Sequence, residues 1–168
     1  MKPDRPDLVL LWHSYAFFPV AGLAILVFGA SGGDATMVVI GLTLLAANAA
    51  IVVNYIYFTT LGVEQAELVY RTNFGLRVDR VPIGGLQRID AKRYPGAHSG
   101  VSAPFFVARG RDSTVKVNTK PYRLRDFSPL IALVRSTNSH VELDPFWARV
   151  AAGEDPSKEI ELTPRSRL

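Results

Sequence analysis

The sequence predicts a membrane protein with an N-terminal hairpin of two transmembrane helices, followed by a mainly β domain that a C-terminal α-helix caps. Residues 8–33 contain no Asp, Glu, Lys or Arg, and neither do residues 35–63. Each run exceeds the roughly 20 apolar residues that cross a ~30 Å hydrocarbon core as a helix. After residue 63, charged residues return and short runs of alternating apolar and polar side chains begin, which is typical of strands.

The hairpin is predicted as helices at residues 8–30 and 36–59, joined by a short polar turn and preceded by a segment of residues 1–7. The turn has no Lys or Arg, whereas Lys2, Arg5 and Arg71 flank the two runs. Positive residues concentrate on the cytoplasmic side of membrane proteins, so we expect both termini to be cytoplasmic. The N-terminus is charge-balanced and the apolar run is too long for a signal-peptide core, which indicates a retained anchor.

Three polar residues fall inside the predicted helices: His13, Asn48 and Asn54. Polar groups are expensive within a bilayer and need a partner. A His13–Asn54 hydrogen bond is one interpretation, and ligation of a haem or chlorophyll by His13 is the other. No second ligand is present in the span, so we expect no cofactor. Asn48 either bonds the carbonyl of Tyr15, which Pro19 leaves free, or contacts a partner subunit.

The β domain is predicted over residues 61–143. Five runs have strand character, at 67–72, 76–81, 86–93, 101–109 and 114–119. Additional strands are expected within 57–65 or near His140. In the fourth run, alternation is expected to place Phe105 and Val107 on the core face and Phe106 on the opposite face.

A closing helix is predicted at about 129–137, because Ser128 precedes Pro129 as an N-cap precedes a proline at the first helical position. Its apolar residues have helical spacing and should cover the sheet; they are Phe127, Leu130, Ile131 and Val134. Residues 144–168 are predicted as a short helix, capped by Asp144 and carrying Phe146 and Trp147, and then a disordered tail.

Three segments carry a resemblance to a known family: residues 68–75 (LVYRTNFG), 80–89 (RVPIGGLQRI) and 126–131 (DFSPLI). They resemble the bacterial PH-like domains, in the families that carry such a domain beside two transmembrane helices. The resemblance covers about residues 60–138. It implies a bent, roughly seven-stranded β-barrel capped by a helix, in a multi-pass protein of the bacterial inner membrane.

Catalytic chemistry is not indicated. The chain has no cysteine, which excludes disulfides and thiolate catalysis. Its three histidines, His13, His98 and His140, lack the paired spacing of a metal site. The sequence contains neither a GxSxG nucleophile elbow nor a phosphate-binding loop. We therefore expect a protein that is not an enzyme.

The basic charge of the β domain suggests a lipid contact. Setting aside Lys2, Arg5 and three acidic residues leaves a net charge of +5 on residues 61–168. Anionic headgroups attract such cations by about 1 kcal/mol each. The candidate contacts are Arg88, Lys92 and Arg93, within a wider set of basic residues that could share the same patch: Arg109, Arg111, Lys116, Lys120, Arg123 and Arg125. Simple solubility and the positive-inside bias are the alternative explanation. Nucleic acid is not expected, because acids are interspersed and no aromatic stacking platform is present.

Two functions are consistent with these patterns. The first is a non-catalytic adaptor, an accessory subunit of a larger membrane complex that binds a membrane-protein partner through Phe106, Phe146 and Trp147. Large aromatic residues dominate interface energetics. The alternative for Phe146 and Trp147 is that they fold back on their own domain or lie in the membrane interface. The second function is a sensor of anionic lipid headgroups, whose binding weakens with salt.

Overall fold

The computed structural model describes residues 6–7, 10, 16–92 and 104–156. Two apolar helices come first: α1 spans Phe17–Gly32 and α2 spans Ala35–Val53, followed by a π-helical turn at Asn54–Phe58. The carboxylate of Asp34 accepts hydrogen bonds from the first backbone N–H groups of α2. Such a cap satisfies donors that the helix itself leaves free. It also sets the reversal of direction between the two helices.

Glycines bring α1 and α2 into backbone contact. A Cβ atom on Gly41 would lie 2.7 Å from the backbone nitrogen of Leu26, and one on Gly29 would lie 2.7 Å from Cβ of Met37. Close approach of this kind supplies the attraction between helices in lipid. Ala46 and Ala50 of α2 are exposed.

One helix within the described ranges is long and apolar enough to cross a membrane. It consists of α2 and the π-helical turn, Ala35–Phe58, which agrees with the predicted span of 36–59. The apolar helix α1 is shorter. Most of residues 8–15 lie outside the described ranges, so the start of the first helix at residue 8, and a two-span hairpin, stay predictions.

Seven strands form two sheets. Strands β1 (Thr60–Glu64), β2 (Glu67–Thr72) and β3 (Arg77–Pro82) pair antiparallel in that order. The second sheet has the order β6-β5-β4-β7, from β4 (Leu86–Lys92), β5 (Phe105–Gly110), β6 (Thr114–Val117) and β7 (Glu142–Leu143). The strands expected near 57–65 and His140 are therefore β1 and β7. Among the described strands, hydrogen bonding gives two sheets and does not close a single barrel.

Helices α3 (Leu124–Thr137) and α4 (Pro145–Ala151) pack on the core. All four predicted apolar residues of α3 are buried. The predicted start of α3 is wrong, because Pro129 lies inside the helix and Ser128 is not its N-cap. Burial of Phe127 draws the preceding turn into the helix, and the hydroxyl of Ser128 donates to the carbonyl of Ala151, 3.3 Å away.

The predicted orientation of β5 is also wrong. Phe106 is fully buried and Phe105 is only partly buried, the reverse of the prediction, although Val107 is buried as predicted. The ring of Phe106 lies 5.3 Å from that of Phe127 and 5.1 Å from that of Trp147, measured between centroids. These three rings form the centre of the core. The larger apolar contact is available on the Phe106 side, which decides the face.

Candidate membrane-facing surface

The end of the apolar helix contacts the β domain at two places. The side-chain oxygen of Asn54 accepts a hydrogen bond from the backbone N–H of Phe74 in the β2–β3 turn, at 2.5 Å. The side-chain amide of Asn118, directly after β6, donates to the hydroxyl of Tyr55 at 3.5 Å. The β2–β3 turn and the carboxyl end of β6 therefore lie beside the helix end. We call this the helix-proximal end of the β domain.

Strand register identifies which other residues belong to the helix-proximal end. Phe106 pairs with Val117 of β6, and its neighbour Phe105 pairs with Lys92 of β4. Lys92 and Phe105 are thus at the same end of the sheet as Asn118. Arg88 precedes Lys92 by four residues, which places it ~13 Å further from the helix along the strand.

The outer face of the second sheet is basic. Because Ile89, Phe106 and Val117 belong to the core, alternation assigns the neighbouring residues to the opposite face. The basic residues on that face are Arg88, Lys92, Arg109 and Lys116. The sequence-predicted contacts Arg88 and Lys92 are therefore on one surface, and Arg93 lies outside the described residues.

Ion pairs divide this face into two parts. The carboxylate of Asp90 pairs with both Arg88 and Arg109, which lie two residues further from the helix-proximal end. Neither Lys92 nor Lys116 has an ion pair among the described residues. The backbone of Lys116 is level with Asp90, but its ammonium extends towards the helix-proximal end and lies 4.1 Å from the centre of the Phe105 ring. The two arginines and Asp90 together keep a net charge of +1, and Lys92 and Lys116 add two positive charges towards the helix end.

The aromatic candidates for partner contact are mostly internal. Trp147 is fully buried, and its indole N–H donates to the carbonyl of Asp90 at 3.0 Å. Phe106 is also fully buried, so the expectation that these two rings offer a surface contact is wrong. Phe146 is partly buried and packs edge-to-face on Trp147, with centroids 5.0 Å apart. Phe146 and Trp147 fold back on their own domain, which was the alternative expectation.

The sequence analysis missed an apolar surface at the β2–β3 turn. The side chain of Leu76 is 89% exposed and that of Phe74 is 48% exposed. Val78 of β3, and Tyr57 and Phe58 at the helix end, are exposed as well. We call these five residues the tip surface. A phenylalanine between Asn73 and Gly75 was the available signal, because such turn positions usually hold small or polar residues.

The polar residues of the apolar helix have different environments. The side-chain oxygen of Asn54 accepts a hydrogen bond from Phe74, as described above, and its backbone carbonyl accepts one from the hydroxyl of Thr59 at 3.2 Å. The side-chain nitrogen of Asn48 is shielded and has no hydrogen-bond partner within the described part of the chain. His13 and Tyr15 lie outside it, so the predicted His13–Asn54 pair, pigment ligation by His13 and an Asn48–Tyr15 bond stay predictions.

The segment before α1 also contacts the β domain. The backbone N–H of Asp7 donates to the carbonyl of Pro121 at 2.6 Å, and its carboxylate pairs with Arg123. Neither residue type nor spacing signals this contact in the sequence. The contact neutralises Arg123, one of the basic residues that the charge pattern suggested for a lipid surface.

No group of three His, Asp or Glu residues suited to a metal ion occurs within residues 16–92 and 104–156. One ion pair shifts a titration: the Arg71 guanidinium holds the pKa of the Glu64 carboxyl below its ordinary value, chiefly through a hydrogen bond. The second oxygen of that carboxylate lies 2.7 Å from Nη2 of Arg71. This pair spans the outer face of the first sheet and has the geometry of a structural contact.

Comparison of the chain with protein-family models, with curated proteins and with solved structures finds no match.

Proposed function

We propose that this protein is a membrane-anchored, non-catalytic module whose β domain contacts anionic lipid headgroups. The observation that carries the proposal is the position of two cations that have no ion pair among the described residues: Lys92 lies at the helix-proximal end, and the ammonium of Lys116 reaches the Phe105 ring there. If Ala35–Phe58 spans a bilayer, this end faces the headgroup layer. Cations near an anionic surface gain about 1 kcal/mol each.

The proposal includes a topology and a fold family. We assign the protein to the bacterial inner membrane, with α1 and α2 as a transmembrane hairpin and both termini in the cytoplasm. The absence of Lys and Arg from the turn at residues 31–35 supports that orientation. We also propose a PH-like domain, supported by seven strands in two sheets and by α3, whose apolar face covers the core.

An adaptor function has weaker support than it had from the sequence. Two of its three contact residues, Phe106 and Trp147, belong to the core. Phe146 keeps part of its surface but also packs on Trp147. The aromatic residues predicted for partner contact therefore no longer define a docking surface for a membrane protein, whereas the headgroup proposal keeps its predicted cations Arg88 and Lys92 on one exposed face.

The test is retention of lipid by the full chain in mild detergent, measured by native mass spectrometry with phosphatidylglycerol or phosphatidylcholine added. We expect preferential retention of phosphatidylglycerol, and a loss of about five-fold in its affinity for each cation removed at Lys92 or Lys116, which corresponds to ~1 kcal/mol. Added salt should weaken retention, since exposed charges are screened within about 10 Å at 0.1 M.

The matched control is Arg111, an exposed cation in the β5–β6 turn at the opposite end of the same sheet. Lys92→Gln and Arg111→Gln remove the same charge from exposed positions. We expect only Lys92→Gln to lower the affinity for phosphatidylglycerol. Equal losses in both variants would indicate a general charge effect and would reject the proposed headgroup site.

A further inference from the structure

The tip surface is an unusual feature for a turn between two strands. Leu76 is almost fully exposed, its turn neighbour Phe74 and Val78 of β3 are exposed as well, and the ring of Phe74 contacts that of exposed Phe58 at the helix end. Scattered apolar residues on a surface need no explanation, whereas a contiguous group marks a contact with a partner or a membrane. The question is which partner this group fits.

The position of the tip along the helix indicates the partner. Asn54, whose side chain holds the backbone of Phe74, precedes the end of the apolar helix at Phe58 by four residues. At the rise of an α-helix this is about 6 Å. The turn therefore lies alongside the last part of the helix and does not extend away from it. Apolar groups that bind a membrane surface insert about 5–10 Å, which matches this overlap.

The backbone of the turn shows how Phe74 is held there. Asn73 and Phe74 have φ values of 54° and 58°, in the left-handed region that bulky side chains avoid. Such a conformation persists when neighbouring contacts determine it. The hydrogen bond that the Phe74 N–H donates to Asn54 and the ring of Phe58, whose centroid is 5.5 Å from that of Phe74, provide those contacts. Phe74 is thereby fixed on the helix and Leu76 is left outside.

We propose that the β2–β3 turn inserts Leu76 and Phe74 into the interfacial layer of the bilayer that α2 crosses. The partner is lipid because Phe74 contacts Phe58, which lies at the end of the apolar helix whose side chains Ile51 and Val53 are also exposed. The inference rests on the proposed membrane anchorage. It adds to the headgroup contact a second, apolar attachment on the other sheet of the β domain.

The experiment uses the absence of cysteine from the chain. Leu76→Cys, Asp112→Cys and Val39→Cys each give one site for a nitroxide label in the full chain, reconstituted in phosphatidylglycerol–phosphatidylcholine nanodiscs. Collision with oxygen, which concentrates in lipid, is compared with collision with a water-soluble nickel chelate. Asp112 is exposed in the β5–β6 turn and provides the aqueous reference, and Val39 is exposed on α2 and reports the span.

We expect the label at residue 76 to favour oxygen over the chelate, at a depth between those at residues 39 and 112. A label at 76 that matches the one at 112, with the label at 39 in lipid, overturns the insertion and leaves the anchorage standing. Protection of residue 76 from both reagents would assign the tip surface to a protein contact, which also overturns the inference. An aqueous label at 39 would overturn the proposed anchorage itself.

Circular dichroism of the three labelled proteins provides the folding control. Leu76 makes little contact with the rest of the domain, so its replacement should leave the thermal transition unchanged. A second variant, Leu76→Ser, tests the same attachment without a label. It should increase hydrogen exchange at the β2–β3 turn of the full chain in nanodiscs, compared with the unsubstituted protein. An unchanged exchange rate at this turn would overturn the insertion.

Discussion

The side-chain oxygen of Asn54 accepts a hydrogen bond from the backbone N–H of Phe74, 2.5 Å away, and so joins an apolar helix to a β-turn twenty residues later in the chain. In the sequence, Asn54 is a polar residue near the end of a membrane span, for which His13 was the expected partner. In the structure its partner lies in the β domain, so Asn54 connects the apolar helix to that domain.

Replacing Asn54 by Leu should remove this hydrogen bond and weaken the connection between the helix and the β domain. The expected loss of stability is about 0.5–1.5 kcal/mol, the net value of one hydrogen bond. Hydrogen exchange at the Phe74 amide should accelerate, while exchange in the core strand β5 should stay unchanged. Unchanged exchange at Phe74 would mean that the bond does not hold the turn.

Replacing Asn48 by Leu should instead raise the stability of the protein. Its side-chain nitrogen is shielded without a hydrogen-bond partner among the described residues, and such a group costs roughly 1–3 kcal/mol. An apolar side chain of similar size removes that cost, so the thermal transition in detergent should rise. A fall in the transition would reveal a partner for Asn48, as the expected contact with Tyr15 or a partner subunit requires.

Gly41 should tolerate no side chain. A Cβ atom there would lie 2.7 Å from the backbone of Leu26, so Gly41→Ala forces α1 and α2 apart, at a cost of about 1–3 kcal/mol. The matched control is Ala46→Val, which enlarges an exposed residue of the same helix. Thermal unfolding in detergent should separate the two variants, and similar values for both would argue against backbone contact at Gly41.

Trp147→Ala should unfold the β domain without any partner being involved. The ring contacts Phe106 and Phe127 and its N–H donates to Asp90, so truncation should cost about 3–5 kcal/mol. Phe146→Ala, at a partly buried neighbour, should cost less. Thermal unfolding of the full chain distinguishes the two, and a stable Trp147→Ala protein would restore a surface role for this residue.

The Glu64–Arg71 pair should give a small acid-dependent loss of stability. Arg71 lowers the pKa of the Glu64 carboxyl in the folded protein below the ordinary value of 4.5, so the pair stabilises the fold above that pH. The contribution is lost as the pH falls through the lower, folded pKa. Both side chains are about a third exposed, so the effect should stay below ~1 kcal/mol. Unfolding of Glu64→Gln should lack this pH dependence.

Local patterns in the sequence predicted much of the fold. Strand β2 has the predicted limits, and the cap at Asp144 was also predicted correctly, because each depends on a few adjacent residues. The orientation of β5 was not predictable, since consecutive residues 105–107 are all apolar and alternation cannot choose between two faces. Contact with Phe127 and Trp147, distant in sequence, makes that choice.

The candidate surface was only partly visible in the sequence. Arg88 and Lys92 were predicted together, and they lie on one face because residues four apart in a strand point to the same side of the sheet. Their different ion pairing was not predicted, since Asp90 and Arg109 come together only through the register of the sheet. The tip surface was missed because its members come from the helix end and from a turn, and no local pattern joins them.

The junction at Thr59 has a mechanical consequence. This single buried residue separates the π-helical turn from β1, and Asp7 joins the chain before α1 to the segment that follows β6. The β domain is therefore not free to rotate about its connection to the helix. If α2 crosses a bilayer as proposed, a thinner or thicker membrane changes the tilt of the helix, and the sheets must turn with it. The chain would then convert bilayer thickness into the angle at which its basic face meets the headgroups.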